Sequence, residues 1–363
     1  MAKGSFEAGL KGSWVYSDND LQMFRSEEEN PFVVDPNTNT FLYEERVLAA
    51  YATLNGKISP KFSYTGGLRL EHSDISGTSR TLNEVNTQRY TDLFPTLLLQ
   101  HKVSAAYQIV YSANRRISRP NYGLLNPFVF FIDPLTTQTG NPQLRPQYAN
   151  TVEMNHIFQG AYQLSISYAQ TQDIFQQVFE QDEVAKTTNT FTTNLDRSHN
   201  LNVRAILPAS IAPWWSTSNM LQGTYVAWKS PLGDGFLDVS QFSYMARSQH
   251  NILLPKGYKV ELVGMYMGPM LWGQALIKSM AWMDLGVSKT LLQDRLSVAL
   301  NFNDVFRSRW VRADVQFDQI DTRFRQYNAD QSLRLTLRYK FSRGESFRLS
   351  QRSGSEEERS RLN

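Results

Sequence analysis

The sequence lacks cysteine altogether, and it has no long run of apolar residues. Without cysteine the fold contains no disulfide, which suits a protein of the cell envelope without proving that compartment. The densest apolar patch, residues 128–132, is far shorter than the roughly 18 to 20 apolar residues that a membrane-crossing helix needs. The sequence therefore predicts no transmembrane helix, and its 41% of hydrophobic residues must follow another pattern.

Catalytic and metal-binding motifs are missing too. The few histidines are scattered and form no H-x-x-H pair. They are His72, His101, His156, His199 and His250. There is no G-x-S-x-G elbow or phosphate-binding loop, and residues 18–20 (DND) lack the glycine and distal glutamate of an EF-hand. We predict no enzyme, cofactor or metal site; a loop calcium site and a Ser/His/acid set assembled by the strands are the alternatives. With a net charge of +3 and no basic stripe, no nucleic-acid partner is expected.

What the sequence does contain is strict alternation, clearest in residues 332–341. In an extended chain, alternate side chains point to opposite faces. One face carries Leu333, Leu335, Leu337, Tyr339 and Phe341. The other carries Ser332, Arg334, Thr336, Arg338 and Lys340. This segment is therefore predicted to be a strand with one apolar and one charged face.

The same pattern returns at hairpin spacing in about fourteen segments along the chain. Their connections alternate between tight turns and mostly longer polar segments. The tight turns lie near residues 56–60, 102–104, 159–161, 208–213, 254–258 and 290–294. The longer segments lie at residues 18–40, 75–89, 115–147, 174–189, 229–235, 269–278 and 307–331. Outer-membrane barrels have short periplasmic turns and longer extracellular loops, whereas a soluble β-sandwich has no reason to sort its loops in this way. We therefore predict an all-β fold, an antiparallel transmembrane β-barrel over residues 1–341.

The alternation also predicts which side chains face lipid. We expect lipid contact at Leu10, Leu68, Leu164, Leu300 and Leu335. We expect inward orientation for Lys11, Arg69, Ser165, Asn301 and Arg334. The 17 tyrosines and 21 phenylalanines are enough for the aromatic girdles of such a barrel. In residues 47–51 both faces are apolar, so the register of the second strand stays ambiguous.

The two ends of the sequence give further expectations. A complete amphipathic strand, residues 5–16, begins almost at once, without a signal peptide before it. Either a signal has been removed or the chain is the C-terminal piece of something longer, and we favour the second. Residues 342–363 have no apolar periodicity, so we predict a disordered periplasmic tail.

Several motifs make the sequence similar to a known family. The central one begins with residues 112–122 (SANRRISRPNY) and continues through residues 125–128 (LNPF) to residues 140–146 (GNPQLRP). Further matches are residues 69–72 (RLEH), 93–96 (LFPT), 254–258 (LPKGY) and 303–306 (NDVF). They resemble the C-terminal barrel of the TonB-dependent-receptor-like outer membrane protein β-barrel family of Bacteroidota.

The resemblance implies the function and the partners. It implies part of a larger barrel of about 22 strands, in a receptor that takes up a nutrient with TonB energy, although no plug domain or TonB box is visible. A stand-alone outer-membrane pore or surface-binding barrel is the alternative. The implied partners are lipid and lipopolysaccharide, the barrel assembly machinery, TonB if a plug domain lies upstream, and an unidentified small-molecule, glycan or peptide ligand.

Two groups of residues are candidates for function. The long segment of residues 115–147 is a possible extracellular ligand loop, with Arg115, Arg116, Arg119, Asn126 and Asp133 as its candidate contacts. The alternative is that these arginines pair with loop acids such as Asp133. Tyr339 and Phe341 end the last strand in the form of a signal read by the assembly machinery.

Overall fold

In a computed structural model the protein is almost entirely β-structure. The structure describes residues 4–26, 32–182, 184–232, 235–317, 320–328, 330–341 and 360–361. None of the helices in these ranges is long and apolar enough to cross a membrane. The predicted disordered tail therefore lies outside the described residues, apart from Ser360 and Arg361.

The strands in chain order are β1 (Ser5–Leu21), β2 (Phe24–Arg25), β3 (Val33–Val34), β4 (Asn39–Ser59), β5 (Phe62–Ser79), β6 (Glu84–Lys102), β7 (Tyr107–Ser118), β8 (Val129–Asp133), β9 (Thr136–Thr139), β10 (Gln147–Phe158), β11 (Tyr162–Asp182), β12 (Thr187–Ala212), β13 (Trp215–Leu232), β14 (Gly235–Leu253), β15 (Tyr258–Met267), β16 (Met270–Trp272), β17 (Ala275–Ile277), β18 (Met280–Leu291), β19 (Leu296–Asn303), β20 (Trp310–Phe317), β21 (Ile320–Tyr327) and β22 (Ser332–Tyr339). A one-turn helix, α1 (Tyr122–Leu125), and a 3₁₀ turn at Pro255–Gly257 complete the described elements.

Fourteen of these strands form one continuous antiparallel sheet, here called the wall. Its order is β1-β4-β5-β6-β7-β10-β11-β12-β13-β14-β15-β18-β19-β22. Each strand pairs with the next wall strand along the chain, as expected for hairpins joined by short turns. The predicted all-β antiparallel fold with about fourteen strands is confirmed. Among the described residues, β1 and β22 pair with no further strand on their outer edges.

The pairing register gives the wall two chemically different faces. Leu10 lies opposite Ala50, Ala50 opposite Leu70, and Leu300 opposite Leu335. Followed from strand to strand, the register puts all five predicted lipid-facing leucines on one face, here called the outer face. The five predicted inward residues lie on the opposite, inner face because successive side chains of a strand alternate. The register also resolves β4, placing Leu48 on the outer face and Val47 on the inner face.

The two ends of the wall differ in their connections. At one end, the turn end, strands are joined by the tight turns expected from the sequence, such as the one between Ser59 and Phe62. At the other, the long-loop end, several predicted loops are wrong, because the strands continue through them. In residues 75–89 and 174–189, β5, β6, β11 and β12 extend to close hairpins. Residues 269–278 and 307–331 contain a separate sheet of order β16-β17-β20-β21.

Candidate functional site

The candidate site lies at the long-loop end, where residues 119–146, here called the crossing segment, pass from one part of the wall to another. The segment leaves β7 and returns to β10, which are neighbours in the wall. Between them it reaches β12, where β9 pairs in parallel from Thr136 opposite Thr188 to Thr139 opposite Phe191. It also packs against β4 and β5, so one loop contacts both sides of the inner face.

An apolar cluster holds the first half of the crossing segment. Tyr122 and Leu125 of α1 are buried, as are Phe128 and Leu144 on either side of β8 and β9. These four side chains pack with inner-face residues of the wall: Phe41, Tyr43 and Ile75. The Asn121 side chain begins α1 by accepting a hydrogen bond of 2.8 Å from the Gly123 N–H.

Backbone contacts explain several residues of the motif at 140–146. A Cβ on Gly140 would lie 1.9 Å from the carbonyl oxygen of Asn126, so only glycine fits there. The Asn141 side chain donates to the carbonyl oxygen of Thr192 at 3.0 Å. The Gln88 side chain donates to the carbonyl oxygen of Leu144 at 2.8 Å. The motif therefore fixes the path of the segment across the inner face.

Beneath the apolar cluster lies a group of buried charges, here called the ionic cluster, consisting of Glu45, Glu71, Arg119 and Arg361. Arg119 is 6% exposed. It donates from Nη2 to Oε2 of Glu71 at 2.7 Å, and its Nε lies 3.4 Å from Oε1 of Glu45. Arg69 also pairs with Glu71. The guanidinium of Arg119 thus pairs with carboxylates from two wall strands at once. These pairs offset the free-energy cost of burying the charged groups.

Hydroxyl groups complete the ionic cluster. The hydroxyl of Ser73 accepts from Nη2 of Arg119 at 2.9 Å, and that of Tyr90 accepts from Nε at 3.1 Å. On the Glu45 side, the hydroxyls of Tyr43 and Tyr122 donate to Oε2 at 3.2 Å and 3.3 Å. The cluster therefore ties β4, β5 and β6 to the crossing segment.

A second polar contact bridges the place where β6 and β7 separate. Their pairing ends at Thr96 opposite Asn114, so the wall opens beyond that point. Nη2 of Arg115 lies 3.3 Å from Oδ1 of Asp92 across the opening. The hydroxyl of Tyr148 donates to Oδ2 of the same carboxylate at 2.7 Å, and its ring lies 5.0 Å from the Arg115 guanidinium carbon.

The five predicted loop contacts therefore occupy very different places. Arg115 and Arg119 pair with strand acids and not with Asp133. Asn126 is buried, and its side-chain oxygen has no hydrogen-bond partner within the described part of the chain. Arg116 and Asp133 are exposed. The N–H of Leu135, which donates to Oδ1 of Asp133 at 2.8 Å, lowers the pKa of that carboxyl group.

The two predicted assembly residues lie together at the turn end. Tyr339 ends β22, and Phe341, which is 89% exposed, follows it. Their ring centroids are 4.7 Å apart. The apolar alternation of β22 thus continues through an exposed aromatic pair.

The sequence interpretation missed Glu45, Tyr90 and Arg361 as parts of the candidate site. A charged residue at an inward position of a strand was the available signal for Glu45, but the ambiguous register of that strand hid it. Nothing local in the sequence pointed to Arg361, which is buried against the inner face. The disordered periplasmic tail over residues 342–363 stays a prediction, since only Ser360 and Arg361 of it are described.

A second polar region of the inner face lies on β14, β15 and β18. A pocket of about 400 Å³ is lined there by Arg247, Glu261, Asp284 and Arg309, among others. Arg309 lies 3.6 Å from Asp284 and its guanidinium carbon lies 4.4 Å from the Trp282 ring. Within the described ranges no group of three or more His, Cys, Asp or Glu side chains could hold a metal ion.

Comparison with known structures shows the same fold in larger proteins. The ferric yersiniabactin uptake receptor FyuA from Yersinia pestis matches with a TM-score of 0.61 and 13% identity, over 93% of this chain and 51% of that one. The siderophore receptor PiuA from Acinetobacter baumannii matches with a TM-score of 0.65 and 13% identity, over 94% and 53%. The ferric-catecholate import receptor Fiu from E. coli K12 matches with a TM-score of 0.62 and 13% identity, over 94% and 52%. The chain thus spans about half the length of these receptors.

No curated protein sequence matches the chain. A family model does: residues 1–339 match that of the outer membrane protein β-barrel family. This match covers the whole wall, from β1 to the end of β22. With its two-faced antiparallel wall and its matching sequence, the chain belongs to the outer membrane protein β-barrel family.

Proposed function

We propose that this chain forms part of an outer-membrane receptor that takes up a nutrient with energy supplied through TonB. The observation that carries the proposal is that, within the described part of the chain, β1 and β22 each have one edge with no strand paired to it. A sheet within hydrocarbon cannot leave backbone N–H and C=O groups unpaired. A stand-alone barrel of fourteen strands would pair β1 with β22. The open edges instead favour further strands that complete a wider barrel, such as one of about 22 strands.

The crossing segment supports a receptor more than an open pore. It covers part of the inner face at the long-loop end and is held there by the ionic cluster. An obstruction fixed by buried ion pairs hinders free diffusion, so passage needs a change driven by ligand or by energy. The ferric uptake and siderophore receptors that share the fold are twice as long as this chain, which supports the same view.

The long-loop end is proposed to be extracellular and the end of β22 periplasmic, by the loop rule for bacterial barrels. Of the predicted ligand contacts, Arg116 and Asp133 remain the best candidates because their side chains are exposed. Lipopolysaccharide, the assembly machinery acting on Tyr339 and Phe341, and a Bacteroidota source also remain proposals.

Two measurements on the full-length protein test the proposed function. A soluble TonB C-terminal domain should bind the receptor in detergent, and liposomes containing the receptor should not swell in arabinose. Swelling as fast as with a general porin, without TonB binding, would favour the passive pore. Translation of the gene upstream should reveal an in-frame plug domain; a signal peptide directly before Phe6 would contradict the proposal.

Cysteine labelling of intact cells tests the orientation, since the native chain has no cysteine. Leu135→Cys should react with a membrane-impermeant maleimide, and Ser104→Cys at the turn end should not. Leu135 is suited to labelling because it is 58% exposed. Thr137, two residues further on, is less suited because its hydroxyl donates to Asn189. Labelling of Ser104→Cys alone would mean that the orientation is inverted.

A further inference from the structure

Arg361 stands out because it is buried far from the strand that precedes it in the sequence. Its side chain is 9% exposed. Its Nη1 lies 3.0 Å from Oε1 and 2.9 Å from Oε2 of Glu45, so it contacts both carboxylate oxygens. Its Nη2 donates to the Tyr43 hydroxyl at 3.3 Å, and its Nε donates to the carbonyl oxygen of Pro120 at 3.3 Å. The guanidinium carbon lies 4.6 Å from the Tyr122 ring centroid.

These contacts match the chemistry of a guanidinium group. Such a group offers donors in a planar fork and a flat face that stacks on an aromatic ring. Here a carboxylate, a hydroxyl and a carbonyl oxygen receive the donors, and Tyr122 provides the ring. A lysine ammonium has only three donors on a single nitrogen and no planar face, so it could not make all four oxygen contacts and stack flat on the ring.

The walls of this site are held together by contacts that do not involve Arg361. The hydroxyls of Tyr43 and Tyr122 both donate to Oε2 of Glu45. The Tyr43 and Tyr122 ring centroids are 4.6 Å apart. The acceptor and the ring are therefore positioned by β4 and α1 themselves.

The buried carboxylate of Glu45 needs a positively charged partner. Arg119 lies closer to Glu71, at 2.7 Å, than to Glu45, at 3.4 Å. Glu71 has a further partner in Arg69. Glu45, only 1% exposed, has its closest positive group in Arg361 at 2.9 Å. A site without that guanidinium would leave a buried carboxylate with a single, longer ion pair.

Arg361 lies at the opposite end of the wall from the end of β22. β22 ends at the turn end, where the N–H of Lys340 donates to the carbonyl oxygen of Arg295. Glu45 lies towards the long-loop end of β4, about 46 Å along the strand from Ser59 at a rise of about 3.3 Å per residue. The roughly 20 residues from Phe341 to Arg361 can span at most about 66–72 Å, so the chain is long enough.

We propose that the inner face carries a guanidinium-binding site, formed by Glu45, Tyr43, Tyr122 and the Pro120 carbonyl, whose occupant is the chain's own Arg361. The occupied site locks the crossing segment to β4. The site does not depend on TonB coupling, so its test is independent of the test of the proposed uptake function.

Cross-linking of the full chain in detergent micelles tests where the chain end lies. The N–H of Tyr122 donates to the carbonyl oxygen of Arg361 at 3.3 Å, so residues 121 and 360 lie close together. Asn121→Cys with Ser360→Cys should be joined by a short bis-methanethiosulfonate reagent. The control pair, Ser297→Cys with Ser360→Cys, probes the turn end of the inner face, where a tail that stayed near β22 would lie. Preferential cross-linking of the control pair, or a dimer band from the first pair, would overturn the proposal.

The same cross-link tests the chemistry. Arg361→Ala should lower its yield about tenfold, because hydrogen bonds between charged groups are lost. Arg352→Ala, which removes the same charge elsewhere in the tail, should leave the yield unchanged. Glu45→Gln should act like Arg361→Ala, and the two changes together should lower the yield no further. An equal loss with Arg352→Ala would show general electrostatic attraction instead of this site, and circular dichroism of each variant verifies that the strands are retained.

Discussion

The outer face of β4 carries Leu48 and Leu54, both exposed, while its inner face carries Tyr43 and Glu45, both almost fully buried. The two sets alternate along one backbone. On the outer face each side chain meets surrounding solvent or lipid independently of its neighbours, so its type matters more than its exact partner. On the inner face each side chain needs particular partners from other parts of the chain. We therefore expect a substitution on the outer face to affect stability only through its own position. A substitution on the inner face should also disturb the several side chains that pair with it.

The largest effect is expected for Arg119→Ala in the ionic cluster. It leaves the buried carboxylates of Glu71 and Glu45 with fewer partners, so the free energy of unfolding should fall by about 3–5 kcal/mol. Urea unfolding in detergent micelles, followed by tryptophan fluorescence, measures the change. The control is Arg116→Ala, an exposed arginine three residues away. Equal losses for both variants would mean that the inner network is not cooperative.

A smaller effect is expected for Leu300→Arg on the outer face. Arginine near the middle of the bilayer costs about 2–4 kcal/mol, whereas Asn301→Arg, at the next position, should be mild because Asn301 faces inward. The readout is the free energy of unfolding from lipid vesicles. If both variants lost the same stability, the assignment of the two faces would be wrong.

A still smaller effect is expected for Tyr148→Phe at the opening between β6 and β7. The change removes the 2.7 Å hydrogen bond to Asp92 but leaves the Arg115 pair in place. A hydrogen bond to a charged group contributes about 1.5–3 kcal/mol, and solvent near the opening should keep the loss at the lower end of that range. Tyr225→Phe on the outer face is the matched control. A loss no larger than that of the control would show that the bridge contributes nothing to stability.

The smallest effect on stability is expected for Phe341→Ala, because that ring is almost fully exposed. The variant should unfold like the native chain in detergent yet assemble more slowly in cells, measured by pulse-chase of protease-resistant protein.

Truncation before Leu333 should abolish insertion, since it removes an entire wall strand, while removal of everything after Arg343 should largely preserve insertion. Blocked insertion by the tail deletion alone would mean that Phe341 does not mark the end of the wall.

Much of the wall could be predicted from local pattern. Alternation in residues 332–341 gave β22 and its two faces, and the order of short and long connections gave the hairpin topology. The predicted loops at residues 75–89 and 174–189 failed because their polar side chains carry no apolar alternation. They nevertheless extend as strands, since backbone pairing with the neighbouring strand continues beyond the apolar region.

The candidate site was predicted less well, and Arg119 shows why. Its sequence neighbourhood marked it as a charged loop residue, and Asp133 was the nearest acid in that loop. In the structure it pairs with Glu71 and Glu45, which lie 48 and 74 positions earlier in the chain. The strand register and the path of the crossing segment bring these partners together. No local sequence pattern indicates that register or that path.

By itself the sequence determined the fourteen wall strands, most of their faces and the hairpin order, because side-chain alternation and turn length act over a few residues. Only the tertiary structure decided that the segment after β7 crosses to β12, that Gly140 must pass beside the Asn126 carbonyl, and that Arg361 returns to Glu45. The physical reason is that a buried charge needs a counter-charge within about 3 Å, and only the folded chain determines which distant residue supplies it.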